Sequence, residues 1–404
     1  VSTLVFERNL PRFAASRLAS SFGAGRGAGV GPLRLVDAGA PELPSAEWVR
    51  VSPILSGICG SDLSTVDGRS SRYFEDLVSF PFVPGHEVVG TLDDGTRVVV
   101  EPVLGCRARG IDPPCPACRN DNVGGCEHTA FGHLQPGLQT GFCADTGGGW
   151  STAGLVAHPS QLHRVPEAMS DEEAVTVEPL ACGVHAAFSA GLRGGESVAV
   201  IGAGTLGLAT IAALFHLGAT GRIAPAAEVL VGARYPHQRR LAAELGATTV
   251  LEPDQLPRAV RRRSRSLALD ARSRRLTGGA DVVVDCVGSS ASIAAAIEMV
   301  RPCGRVVLVG MPGRVHLDLA PLWHRQVAIA GSYAYGSETY DADETVRTFD
   351  LALELASVTG AGKLVSATYP LERFEDALAH AGSAGRRGAV KVVFDLRRQP
   401  RRMR

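Results

Sequence analysis

Residues 198–208 read VAVIGAGTLGL, an apolar strand that runs into glycines and out into the helix-like run LGLATIAALFHLGA (206–219). Gly202, Gly204 and Gly207 fall in the pattern G-x-G-x-x-G at that junction. The first glycine permits a tight turn, the second lets backbone approach a pyrophosphate, and the third lets helix and strand pack closely. The new helix then offers unpaired N–H groups to phosphate oxygens. The stretch therefore predicts a strand–turn–helix unit binding a dinucleotide through Gly202, Gly204, Thr205, Leu206 and Gly207.

The surrounding chain keeps the same rhythm. VLVGA (229–233), HQRRLAAELGA (237–247), ADVVVDCVG (280–288), SIAAAIEMV (292–300) and GRVVLVGMPG (304–313) alternate strand-like and helix-like runs. Continuously apolar strands alternating with helices predict a doubly wound parallel sheet covered on both faces, over residues 180–330. Before it, residues 1–179 are rich in Gly and Pro. Short β-type runs there (EWVRVSPIL, GTRVVVEPV, GLVAHPSQLHRVP) predict a β-rich domain. Residues 331–404 read as a return to that first domain, closing on the strand GAVKVVFDL, with the tail RRQPRRMR frayed.

An acid at the end of the second strand of such a unit accepts ribose hydroxyls and repels a 2′-phosphate. Here that strand ends VLVGARYP, with Ala233 and Arg234 where the acid is expected and Arg239 and Arg240 on the next helix. An arginine can fork onto a phosphate, so NADP(H) is favoured over NAD(H). The long connection TGRIAPAAE (220–228) blurs the register of that assignment.

Lys+Arg and Asp+Glu both total 41, which gives no net charge to draw the chain to nucleic acid or a membrane surface. The arginine-rich stretch 258–275 lacks interleaved aromatics and reads as a solvated face. No apolar run approaches the roughly 20 residues that span a bilayer. The N-terminal VSTLVFERNLPRF has no charged-then-apolar leader profile. A cytoplasmic setting follows as the expectation, where thiols stay reduced. Nine cysteines, an odd number, likewise disfavour a disulfide framework.

Two short motifs offer metal ligands: Cys59 in GICGSD (57–62) and His86 in GHEVVG (85–90). Thiolate and imidazole are what Zn²⁺ prefers, and a catalytic zinc keeps three protein ligands and an open position. Glu87 or Glu178 (in VEPLACGVHA) could supply a carboxylate. Singly, Cys59 reads as a core thiol and His86 as a loop imidazole; together in these settings they read as ligands. Residues 106–126 add four cysteines, Cys106, Cys115, Cys118 and Cys126. A redox pair at CPAC normally opens a helix beside a thioredoxin-like sheet, whereas these surroundings are loop-like. The remaining Cys143, Cys182, Cys286 and Cys303 read as small buried side chains.

GICGSD, GHEVVG, the cysteine lobe, VEPLACGVHA, VAVIGAGTLGL and GAVKVVFD stand in the order seen in zinc-dependent medium-chain dehydrogenases. These are the alcohol, sorbitol, threonine and glucose dehydrogenase superfamily, and the chain resembles them from about residue 45 to 395. The resemblance implies an α/β protein with a GroES-like β-rich catalytic domain and a Rossmann domain, the active site between them. It implies a catalytic zinc on Cys59 and His86, with Glu87 matching the glutamate ligand of the polyol and glucose branches. Glu178 falls where other branches place a cysteine or an approaching glutamate. Asp62 matches the carboxylate that orients the zinc histidine, and Ser61 the hydroxyl that passes the substrate proton. Many relatives continue that relay with a histidine three residues on; this chain has Ser64. It also lacks a hairpin common after GHEVVG.

The family's structural zinc uses C-x-x-C-x-x-C-x7-C in a lobe, here about residues 102–130. Cys115, Cys118 and Cys126 match the last three positions. The first is Cys106 if a six-residue insertion lies in RARGIDPP, with Asp112 as the weaker alternative. The implied activity is reversible oxidation of a small-molecule alcohol to a carbonyl with NADP⁺, in a homodimer or homotetramer. The rivals are a zinc-independent NADPH quinone or enone reductase of this fold and a non-catalytic dinucleotide-binding protein.

Overall fold

The computed structural model describes residues 1–269, 275–341 and 344–397. Part of the arginine-rich stretch and nearly all of the closing tail lie outside the described residues. The chain separates into two compact units, Val1–Glu178 joined by the segment from Ala356 onward, and Pro179–Leu355.

The second unit is a six-stranded parallel sheet. In spatial order its strands are Thr249–Leu251, Glu228–Gly232, Ser197–Ile201, Ala280–Asp285, Val300–Leu308 and Ala328–Gly331. Numbered along the chain that order is 3-2-1-4-5-6, the doubly wound dinucleotide-binding arrangement. Val198, Ala199, Val200, Val282, Val283 and Val284 are all fully buried, because helices cover both faces. The connection that blurred the register is resolved by pairing: Ser197 lies opposite Glu228 and Ile201 opposite Gly232. Ala233 and Arg234 therefore follow directly on the second strand's end.

The arginine-rich stretch begins as the helix Leu256–Arg263. Leu256, Ala259 and Val260 are buried against the sheet, while Arg258 and Arg262 face solvent. This is an amphipathic covering helix.

The first unit is built on a largely antiparallel sheet. Its order is Val365–Pro370, Lys391–Asp395, Val49–Gly57, Val88–Thr91, Arg97–Val100 and Leu162–Arg164, with Leu155–Ala157 also on Val49–Gly57. A smaller pair joins Ser2–Phe6 to Leu33–Asp37. Val88–Thr91 and Arg97–Val100 form a direct hairpin, with Leu92 N–H bonded to Thr96 O at 2.9 Å, which leaves no room for an extra hairpin there.

The chain re-enters this unit at Ala356, within the helix Thr348–Thr359, rather than at residue 331. Ala328–Gly331 is still the edge strand of the parallel sheet. Glu354 then holds the following helix to that unit through His216 (2.9 Å) and Arg222 (2.8 Å). Cys143 is buried as expected, but Cys303 is exposed, at a left-handed φ of 56°.

Candidate functional site

Cys59 is the residue before the helix Gly60–Val66, in extended conformation (φ −91°, ψ 162°). Asp62, in that helix's first turn, accepts the Cys59 N–H on Oδ2 at 2.9 Å and so fixes the turn carrying the thiol. Its other oxygen, Oδ1, faces His86 Nδ1 at 3.5 Å. His86 and Glu87 run into the strand Val88–Thr91 and are 3% and 1% exposed. One ligand atom each from Cys59, His86 and Glu87 lies within 4.8 Å of the others. Glycine at position 57 makes this possible, since a Cβ there would stand 1.7 Å from Glu87 Oε2.

The cluster carries charge in a dry place. Burial opposes protonation of His86, yet the Asp62 carboxylate and the Cys59 thiol beside it hold its pKa well above the usual imidazole range. Glu87 Oε1 accepts from Lys391 Nζ, which also donates to Ile58 O at 3.3 Å. Burial disfavours charge on Lys391 as well, but Glu87 and then Cys59 raise its pKa above the ordinary value. His86 Nδ1 has Asp62 Oδ1 before it, and both oxygens of Glu87 are turned to Lys391 Nζ. A thiol, an imidazole and a carboxylate brought together at one buried point are costly unless an ion joins them. A divalent cation fits this donor set.

Glu178, 8% exposed in the first turn of the helix Val177–Ser189, is not among the three converging donors. Its charge is nevertheless felt by Lys391. Ser61 is half-buried in the helix beside Cys59, and its hydroxyl has no partner among the described residues. Ser64 is used through its backbone: its carbonyl accepts from Arg69 N at 2.7 Å and Ser70 N at 3.2 Å.

Lys391 escaped the sequence reading, although a signal was there. It is one of two lysines in a chain whose other basic residues are arginine, and it interrupts the apolar strand AVKVVFD. A charge inside a buried strand demands a partner.

In the lobe, Cys106 rather than Asp112 stands with Cys115, Cys118 and Cys126. Their four sulfurs lie within 4.8 Å of one another, while Asp112 is exposed. Every sulfur accepts a backbone N–H. Cys115 N reaches Cys106 Sγ at 3.4 Å, Cys118 N reaches Cys115 Sγ at 3.5 Å, Cys106 N reaches Cys118 Sγ at 3.4 Å and His128 N reaches Cys126 Sγ at 3.4 Å. A hydrogen bond from Cys118 pushes the Cys126 thiol down to about 5, and the Cys118 thiol is pushed up in exchange. N–H groups aimed at each sulfur stabilise thiolates, so this set fits a tetrahedral zinc. The inserted RARGIDPP carries Arg109, fully buried, whose guanidinium binds the carbonyls of Leu104 (3.1 Å) and Phe131 (3.0 Å) and closes the lobe.

In the other unit the glycine turn has the expected geometry. Gly202 has φ +92°, and a Cβ on Gly207 would stand 2.0 Å from Gly202 O. Above Gly204 the space is open, as a phosphate cradle requires, and Gly204 opens the helix Thr205–Ala219 that carries Thr205 and Leu206. Arg234 is exposed and its side chain bonds nothing among the described residues. Arg239 instead turns back to Ala233 O (3.2 Å) and Arg234 O (3.0 Å), with Glu252 at 3.4 Å.

Comparison with known proteins agrees with both units. Residues 45–167 match the alcohol dehydrogenase GroES-like domain and residues 205–350 the zinc-binding dehydrogenase family. The chain is 30% identical over 327 residues to a probable D-xylulose reductase A of Aspergillus clavatus, covering 77% of this chain and 82% of that one. The chain belongs to the zinc-dependent medium-chain dehydrogenases. An L-idonate 5-dehydrogenase of Vitis vinifera is 29% identical, with 86% of this chain and 87% of the relative covered. Among solved structures, an alcohol dehydrogenase from a Thermus species superposes with TM-score 0.68 at 25% identity, covering 98% of this chain and 100% of that one. Among the described residues no helix is long and apolar enough to cross a membrane.

Proposed function

We propose that this medium-chain dehydrogenase is a zinc- and NADP(H)-dependent oxidoreductase that interconverts a secondary alcohol of a polyol or sugar-derived substrate and its ketone. The observation that carries the reading is the buried meeting of Cys59, His86 and Glu87, with Asp62 behind the imidazole. The relatives named for xylulose, sorbitol and idonate support the substrate class.

When bound, zinc supplies a Lewis acid that makes the substrate hydroxyl acidic near neutral pH, and the nicotinamide takes or returns the hydride. The chain's own residues do the rest. Cys59, His86 and Glu87 hold the ion, and Asp62 fixes the His86 ring through Nδ1, as second-sphere carboxylates do. Ser61, with its hydroxyl uncommitted, receives the substrate proton. Lys391 positions Glu87 and balances its charge. Gly202, Gly204 and Gly207 seat the pyrophosphate against the helix that begins at Thr205, and Arg234 is free to fork onto a 2′-phosphate. Cys106, Cys115, Cys118 and Cys126 hold a second, structural zinc.

The test is zinc content together with steady-state oxidation of a polyol panel, using NADP⁺ and NAD⁺ in parallel. Two equivalents of zinc and a kcat/KM at least tenfold higher with NADP⁺ are expected. Cys59→Ala is expected to abolish turnover while NADPH still binds. Full activity in metal-free protein overturns the reading.

A further inference from the structure

One contact in the cysteine lobe is not needed to build a four-thiolate site. His128 Nδ1 lies 3.2 Å from Cys106 Sγ, closer than Cys126 Sγ, which stands 3.7 Å away. Among the described residues, His128 is the one non-cysteine side chain that bonds a sulfur of the four. Its place is fixed from two sides. Its own backbone N–H is spent on Cys126 Sγ, and its ring meets Phe131 edge-on, centroids 6.4 Å apart.

Imidazole is a full zinc ligand, not merely a hydrogen-bond donor, and three thiolates with one histidine make an ordinary closed site. We propose that His128 is a reserve ligand of the lobe, its Nδ1 replacing Cys106 whenever that sulfur leaves the metal. The inference rests on the reading that the lobe holds a metal. The exchange balances within the pair: the bond from the ion to Cys106 Sγ breaks and the bond to His128 Nδ1 forms. The departing thiolate takes the Nδ1 proton along the 3.2 Å contact, and Nε2 of the half-buried ring takes one from solvent, so that the imidazole binds as a neutral ligand. No other ligand moves. Among the described residues the other three sulfurs hydrogen-bond only backbone N–H groups and cysteine sulfurs, so the reserve serves Cys106 alone.

Cobalt(II) reports the ligand set by colour. In a Cys59→Ala background, which silences the other cluster, the native lobe should take up one cobalt with a four-thiolate spectrum. Cys106→Ser should keep one cobalt, with sulfur-to-metal charge transfer reduced by about a quarter, as three thiolates replace four. Cys106→Ser/His128→Phe should then bind cobalt at least about tenfold more weakly, as should the matched control Cys118→Ser.

Equal binding by Cys106→Ser with and without His128, or loss of cobalt from Cys106→Ser in a folded protein, overturns this inference alone. A native lobe that takes no cobalt overturns the structural-metal reading with it. If Cys106→Ser does not fold, zinc release to a chelator decides. His128→Phe and His128→Gln should both speed it, because an amide can hydrogen-bond a thiolate but is not a zinc ligand. Native-like release from His128→Gln reduces His128 to a hydrogen-bond donor and refutes the proposal.

Discussion

Replacing Lys391 by methionine removes one charge from a pair whose partners, Lys391 and Glu87, are 2% and 1% exposed. The shape is nearly kept, so the cost is electrostatic. Breaking a buried pair from one side strands a desolvated carboxylate and typically costs about 3–5 kcal/mol. The Ile58 carbonyl also loses its Lys391 donor. The first unit has roughly the size at which 1 kcal/mol moves the melting temperature by about 2–4 °C, so Lys391→Met should lower it by roughly 6–20 °C.

Chelator-treated protein should be followed by fluorescence of Trp150. Trp150 is fully buried and bonds Gly57 O at 3.2 Å, beside the pair. Adding Glu87→Leu should recover most of the loss, because an apolar pair of similar volume is often as stable as the ions it replaces. A Lys391→Met effect below about 1 kcal/mol, or a double variant no better than the single, refutes the idea that the pair is a coupled buried unit. The sign with pH is fixed as well. Lys391 has a folded pKa above its unfolded value of about 10.4. Its contribution is therefore complete below that pH and fades only as the solution passes the raised folded value.

Gly207→Ala places a Cβ 2.0 Å from Gly202 O. An overpacking cost of about 1–3 kcal/mol should weaken NADPH binding roughly 5- to 150-fold by fluorescence titration, while zinc content is unchanged. Arg234→Asp should raise the NADPH dissociation constant about 10- to 150-fold, for loss of a charge-assisted bond of about 1.5–3 kcal/mol, and leave NADH no weaker. His86 holds its proton well above the usual imidazole range in the metal-free protein. Zinc must displace that proton, so competition with a chelator should show affinity at this cluster rising with pH up to that raised value and levelling off above it. In the absence of metal, the stability His86 contributes is complete below about 6.5 and is lost as pH passes that same raised value. Cys126→Ser should release one equivalent of zinc and leave NADPH binding intact.

The parts readable in the sequence were those in which chemistry and geometry lie within a few consecutive residues. The G-x-G-x-x-G turn is one such case, because Gly202 and Gly207 meet each other across five positions of chain. The short run GICGSD that holds Cys59, Ser61 and Asp62 is another, and so is the tight run from Cys115 to Cys126. Periodicity likewise foretold the parallel sheet, since apolar strands and covering helices are local patterns. Register across the connection 220–228 was not local, and only strand pairing set Ala233 and Arg234 at the strand's end.

What tertiary structure alone decided are the contacts between remote positions. Lys391 reaches Glu87 across 304 residues, because Lys391–Asp395 is laid beside Val49–Gly57, which in turn pairs with Val88–Thr91. Cys106 rather than Asp112 joins the lobe because the inserted loop is folded around Arg109, and His128 arrives on Cys106 from beyond the motif. A sequence states which donors a chain owns. Which of them share one dry point, and which charge stands beside them, depends on burial and pairing that no single segment contains.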